Sequence, residues 1–133
     1  MCGITFVRSL LHSADKIKDG FNRASYRGPD NSKFIHFPEP LSSTFFPEGK
    51  CNYSIGFHRL AINGLNDESN QPFYKNGVYL ICNGEIYNYK KLYSLLDKVQ
   101  KTTSDCEIIL DLYLEFGLDY TIKLLDGVFS FVI

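Results

Sequence analysis

The sequence lacks the features that would place it in several large functional classes. No run of apolar residues approaches the roughly 18 needed to cross a bilayer, so no membrane-spanning helix is expected. The N-terminus, MCGITFVRSLLHSADK, has neither the basic start, the longer apolar core nor the small-residue cleavage site of a signal peptide, and a cytoplasmic protein is expected. There is no excess of either charge. Lys and Arg number 14 against 15 Asp and Glu, a formal net charge of −1, which leaves no electrostatic footprint for nucleic acid or an anionic membrane. The four cysteines, Cys2, Cys51, Cys82 and Cys106, form no C-x-x-C pair, and His12, His36 and His58 are scattered, so no metal site is expected. Free thiols in a reducing compartment fit a chain that is 44% hydrophobic better than a disulfide framework does. Repeats, low-complexity segments and linkers are also missing. Residues 1–133 therefore read as one domain around one core.

What is present reads as strands and helices interspersed. Gly3 to Val7 is β-branched and aromatic with apolar residues on both faces, a buried strand. Ser13 to Ser25 carries Ala14, Ile17, Phe21 and Ala24 at helical spacing, and Arg27-Gly28-Pro29-Asp30 breaks that helix. Short strands are expected around Phe34–Phe37 and Ser43–Phe46. Tyr53, Ile55 and Phe57 alternate with Ser54, Gly56 and His58, a half-buried strand leading into Arg59-Leu60-Ala61-Ile62. Val78 to Cys82 is a continuous apolar strand expected to stop at the turn signal Asn83-Gly84. Asn88 is placed to cap a helix with Leu92, Leu95, Leu96 and Val99 on one face. Ser104-Asp105-Cys106-Glu107 has capping-box form ahead of an amphipathic helix that ends at Gly117. A short helix through Ile122 and Leu125 and a last strand from Val128 to Ile133 follow. Hairpin-like strand pairs among helices indicate an α+β class of mixed layers, not a doubly wound parallel sheet. The apolar last strand has no turn, charge or cap after it, so either it is paired on both sides or the chain is a fragment.

The chemistry-bearing candidates begin with Cys2. Removal of Met1 would leave its thiol and a free α-amine on one carbon. The amine titrates at about 7.7–8.0 and a thiol at about 8.5, so both are usable near neutral pH, the amine as base for its own nucleophile. Alternatively Cys2 is packed as a small hydrophobe. Asn83-Gly84-Glu85 offers a side-chain amide beside a glycine N–H, two adjacent donors that suit an oxyanion hole or else a simple turn. Arg59, followed by apolar Leu60, Ala61 and Ile62, needs an anionic or carbonyl partner if buried. That partner is a substrate carboxylate or a structural ion pair. Asp105 starts a helix and either caps it or binds an ammonium group. Arg27 and Asp30 are equally readable as a rigid turn held by an internal salt bridge.

Taken in order, Met1-Cys2-Gly3-Ile4, Arg27-Gly28-Pro29-Asp30, His58-Arg59-Leu60-Ala61-Ile62, Asn83-Gly84-Glu85-Ile86-Tyr87-Asn88, Ser104-Asp105-Cys106-Glu107-Ile108 and Leu125-Asp126-Gly127-Val128-Phe129 resemble class II glutamine amidotransferase domains. The resemblance is greatest to the glutaminase domain of glutamine-hydrolysing asparagine synthetases, and it runs from end to end of the chain. It implies an N-terminal-nucleophile hydrolase fold, a four-layer αββα sandwich of antiparallel sheets. It also implies that the chain is C-terminally incomplete, because the family's domain has further strands after the Leu-Asp-Gly-x-Phe segment. By the same resemblance Cys2 is the nucleophile, Asn83 and Gly84 form the oxyanion hole, and Arg59 and Asp105 hold the α-carboxylate and α-ammonium of L-glutamine. Leu60, Ile62 and Glu85 line the same pocket, and Arg27 and Asp30 support it. The implied reaction is hydrolysis of glutamine to glutamate and ammonia through a thioester, with no metal or organic cofactor. The implied partner is an ATP-dependent synthetase on a separate chain or domain. The alternative is a catalytically silent glutamine-binding or interaction module.

Overall fold

In the computed structural model of the chain the described residues are 2–9, 11–37 and 52–133. The alternation in the strand around Ile55 sets the architecture. That strand, β3 (Asn52–Arg59), lies between β1 (Gly3–Ser9) and β2 (Asn31–Phe37), antiparallel to both. Ile55 and Phe57 turn to one side and pack with Ile81, Cys2, Ile4, Ile35 and Val132. Gly56 and His58 turn to the other side, where helix α1 (Ala14–Asn22) lays the Phe21 ring on the His58 imidazole at 3.8 Å. A Cβ at Gly56 would come within 2.5 Å of that ring, so glycine is what lets the helix approach. His58 is buried, its Nε2–H donates to the Phe21 carbonyl at 2.8 Å, and its Nδ1 shares a hydrogen bond with Ser32 Oγ at 2.6 Å.

The second sheet has the order β4 (Phe73–Lys75), β5 (Val78–Ile86), β6 (Gly127–Val132), all antiparallel. Its central strand is covered on both faces, which is why Val78 to Cys82 reads as continuously apolar. Ile81 meets the first sheet. Leu80, Cys82 and Ile86 meet α2 (Tyr89–Leu96) and α3 (Ile108–Phe116), packing with Leu92, Tyr93, Ile108, Ile109 and Leu112. Helix α4 (Leu118–Leu124) follows α3 after Gly117, whose φ of +75° suits a residue without Cβ. The layers are therefore helix, sheet, sheet, helix, the αββα arrangement that the family resemblance implied. No helix among the described residues is long and apolar enough to cross a membrane.

Several local expectations are corrected. Asn83-Gly84 is not a turn but the continuation of β5, paired with Ser130 and Phe129 of β6. Gly84 is required there because a Cβ would fall 2.3 Å from the Val128 carbonyl oxygen. The tight turn of this sheet is Asn76-Gly77, with φ of +50° and +82° between β4 and β5. Asn88 precedes α2 without capping it. Its amide instead donates to the Leu124 carbonyl at 2.8 Å and accepts from the Asp126 N–H at 3.1 Å, joining two segments distant in sequence. The capping box is half formed. Ser104 Oγ accepts from the Cys106 N–H at 3.3 Å, while Glu107 takes the Thr102 N–H at 2.9 Å rather than that of Ser104. Helix α1 stops at Asn22, β2 begins at Asn31 rather than Phe34, and the expected strand Ser43–Phe46 lies outside the described residues.

Candidate active site

The antiparallel register of β1 on β3 pairs Gly3 with His58, which sets Cys2 against the chain just beyond β3. The Leu60 N–H donates to Cys2 Sγ at 3.4 Å, and the thiol faces the Leu60 carbonyl at 3.5 Å. Beneath this contact the Arg27-Gly28-Pro29-Asp30 segment acts as a brace. The Asp30 N–H donates to the Arg59 carbonyl at 3.0 Å, and its carboxylate accepts from the Ala61 N–H at 2.7 Å. Gly28 is pressed so close that a Cβ would sit 2.3 Å from the His58 carbonyl carbon. Arg27 and Asp30 are both exposed and lie outside the cavity described next. Among the described residues they form no ion pair with each other.

A cavity of about 330 Å³ opens at this end of the space between the sheets. Cys2, Phe57, Arg59 and Leu60 form one wall, with Ile62 at the rim. Asn83, Gly84 and Glu85 of β5 form the facing wall, and Asp105 and Cys106 close it from the helical side. Every residue assigned from the sequence to catalysis or substrate binding therefore lines one cavity, although the segments are far apart in the chain. The size suits a small ligand.

Arg59 is 6% exposed, and its terminal nitrogens donate to the carbonyl oxygens of Asn66 at 3.1 Å, Asn63 at 3.4 Å and Gly64, and to the Asn70 side chain at 2.6 Å. All four partners are neutral, and the ion pairs of the described residues, Lys75–Asp111 and Lys98–Glu115, lie elsewhere. Among the described residues, then, the partners that hold this cation at the cavity wall are dipoles. Asp105 is equally buried, and its carboxylate accepts the Ile86 N–H at 2.6 Å.

The backbone of β5 explains how the facing wall is organised. In an antiparallel ladder successive residues point their N–H and C=O groups to opposite edges. Val78 and Leu80 face β4, so Cys82, Gly84 and Ile86 face the same edge, beyond the point where β4 has ended. Side chains take over there. The Gln71 carboxamide bonds both backbone groups of Cys82, the Cys106 thiol donates to the Gly84 carbonyl at 3.5 Å, and Asp105 takes the Ile86 N–H. The same alternation turns the Gly84 N–H away from β6 and the Asn83 side chain toward the first sheet and Cys2.

Of the described cysteines, Cys82 and Cys106 are buried and Cys2 is only partly so. The side-chain hydrogen bond it shares with Cys82, burial, and the neighbouring Asp105 and Cys2 push the Cys106 pKa far above the ordinary thiol range. Cys106 therefore remains a neutral donor. Gln71, 5% exposed and lining the cavity, is the contributor that sequence reading missed. Its neighbours Asn70 and Pro72 mark a loop, and nothing local signals a buried amide.

Two packed antiparallel sheets, with Cys2 just ahead of the N-terminal strand lining a cavity between them, define the architecture of the site. The glutamine amidotransferase domain family matches residues 1–133, and the chain belongs to that family. Among its relatives, "Asparagine synthetase [glutamine-hydrolyzing]" of Homo sapiens is 38% identical over 113 residues, 84% of this chain and 18% of that protein. "Asparagine synthetase [glutamine-hydrolyzing] 2" of Bacillus subtilis is 34% identical over 142 residues, covering 100% of this chain and 17% of the relative. The "Probable asparagine synthetase [glutamine-hydrolyzing]" of Acanthamoeba polyphaga mimivirus is 33% identical over 144 residues, again 100% of this chain and 23% of its own length. The chain thus spans about a fifth of the length of the relatives it matches.

Proposed function

We propose that this chain hydrolyses the side-chain amide of glutamine, with Cys2 as nucleophile, and supplies the ammonia to an ATP-dependent synthetase that forms asparagine. The observation that supports this most is the convergence of Cys2, Arg59, Asn83, Gly84 and Asp105 on one cavity. The relatives' glutamine-hydrolysing names agree with it.

After removal of Met1, the Cys2 amine accepts the thiol proton and sulfur attacks the δ-carbonyl of glutamine, forming the C–S bond. Negative charge gathers on the carbonyl oxygen, where the Asn83 amide and the outward-facing Gly84 N–H serve as donors. Collapse breaks the C–N bond, and the proton held by the amine leaves with ammonia. Water then attacks the γ-glutamyl thioester, the amine again taking a proton, and glutamate departs with the thiol restored. At the other end of the substrate, the α-carboxylate becomes the counter-ion that Arg59 otherwise lacks, exchanging with a loop carbonyl. Asp105, with Glu85 nearby, faces the α-ammonium. Leu60 and Ile62 line the aliphatic path, and Asp30, with the exposed Arg27 beside it, keeps the Arg59–Ala61 segment in place.

Glutamate release from glutamine by the processed chain is the direct test. Replacement of Cys2 by Ala or Ser should abolish it, and persistent release in Cys2→Ala would refute the assignment. Glutamine binding without turnover by the unaltered chain would favour a silent binding module instead. Retention of Met1, read by intact mass, would accompany that outcome.

A further inference from the structure

The β4–β5 ladder ends in a way that singles out one side chain. The register runs Lys75 to Val78, Tyr74 to Tyr79 and Phe73 to Leu80, so the next rung in phase lies between residue 71 and Cys82. β4 begins at Phe73, so no backbone pair forms at that rung. The Gln71 side chain fills the place of the missing peptide. Its Oε1 accepts the Cys82 N–H at 2.6 Å, and its Nε2 donates to the Cys82 carbonyl at 3.1 Å. A primary amide presents the same donor and acceptor as a backbone peptide, so one carboxamide reproduces both bonds of a strand pair. The arrangement is built into the protein: Gln71 is buried, and both of its bonds are made to one residue.

Cys82 is the residue immediately before Asn83. On its other side β5 is gripped by β6, through Asn83 with Ser130 and Glu85 with Val128. Without Gln71, the strand at Cys82 would be held from one edge only, and Asn83 and Gly84 would lose the restraint that precedes them on the β4 side, leaving the Cys106 and Asp105 contacts at Gly84 and Ile86. Cys106, which bonds the Gly84 carbonyl, offers a weaker sulfur contact at 3.5 Å and does not restrain Cys82 through its backbone.

We infer that Gln71 is a positioning residue for the oxyanion hole: its carboxamide acts as a side-chain rung that fixes β5 at Cys82 and so aims Asn83 and Gly84 at the substrate carbonyl. The inference rests on the proposed roles of Asn83 and Gly84. It assigns Gln71 no contact with the reacting atoms.

Gln71→Met keeps the length of the side chain and removes both bonds. In this variant kcat for glutamine hydrolysis should fall roughly 10- to 100-fold while KM stays within about twofold, because misaimed donors cost the transition state and not ground-state binding. Alkylation of Cys2 by iodoacetamide, a displacement that passes through no oxyanion, should keep its rate. An unchanged kcat, or a fall in kcat matched by an equal fall in alkylation, overturns the inference. Amide hydrogen exchange gives a reading that needs no variant. The Cys82 amide of the unaltered chain should be as protected as that of Leu80, which faces β4, and an unprotected Cys82 also overturns it. If the unaltered chain releases no glutamate, the proposed function fails separately. The chemical shifts of the variant then decide the positioning role: changes centred on Asn83 and Gly84 support it, and changes confined to Cys82 refute it.

Discussion

Replacing Gly84 with Ala tests the two-sheet frame and the cavity together. A Cβ built on Gly84 would lie 2.3 Å from the Val128 carbonyl oxygen and 2.5 Å from Phe129 Cα, both backbone atoms of β6. To reach the 3.0 Å below which Cβ atoms essentially never sit, the two strands must part by about 0.7 Å. No rotamer change relieves a clash with backbone, so the ladder bonds of Asn83 and Glu85 to β6 must stretch. Overpacking of this kind costs about 1–3 kcal/mol, and the weakened ladder places Gly84→Ala near the upper end. The shift also carries the Gly84 N–H and the Asn83 amide off their target by nearly the same distance. Misplacement on that scale costs up to about 100-fold in rate. Urea unfolding measures the first effect, and glutamate release at saturating glutamine measures the second. Gly77→Ala is the control. Its φ of +82° brings some strain, but nothing lies within 4 Å of the added carbon and the turn is remote from the cavity, so a loss of about 1 kcal/mol with unchanged kcat is expected. A Gly84→Ala chain with full stability and full turnover would show that the β5–β6 approach has no role in either.

Arg59→Lys should raise KM for glutamine roughly 10-fold or more with a smaller change in kcat, since a lysine cannot hold the loop carbonyls and a carboxylate in a planar fork; steady-state kinetics measures the split. Burial, with Glu107 and Asp111 nearby, raises the Tyr93 pKa well above its ordinary 10.0. The folded chain therefore keeps this proton while the unfolded chain releases it, so stability falls as pH rises past about 10, by at most about 1.4 kcal/mol per pH unit from this group. Tyr93→Phe should lose less stability between pH 9 and 11 than the unaltered chain in urea titrations, and equal losses would contradict the assignment.

Some of the site was legible because its signals are local. The Arg-Gly-Pro-Asp brace, Arg59 at the end of an alternating strand, and the helix-leading Asp105 can each be placed from spacing and residue type. The sequence did not say which partners these groups would choose. Arg59 was open to an ion pair or a substrate carboxylate, and the fold surrounds it with the carbonyls of Asn63, Gly64 and Asn66 and the Asn70 amide. Asn83-Gly84 carries a strong turn signal and is a strand, because pairing with β6 from more than 40 residues later outweighs the local preference. Asn88 looked like a cap and instead ties α2 to the approach of β6.

The sequence alone therefore determined the layers. Periodicity reports the strands, the helices and their mixed α+β class. The sequence also carried the ordered motifs by which the family is recognised, and that resemblance implies the four layers. Tertiary structure alone decided how the edge of β5 is completed beyond β4. The Gln71 carboxamide, the Cys106 thiol and the Asp105 carboxylate reach it from 11, 22 and 19 residues away in sequence. A side chain's choice of a backbone partner across such distances leaves no periodic trace. It depends on where the neighbouring strand stops, and that is fixed only when the two sheets and the helices have packed.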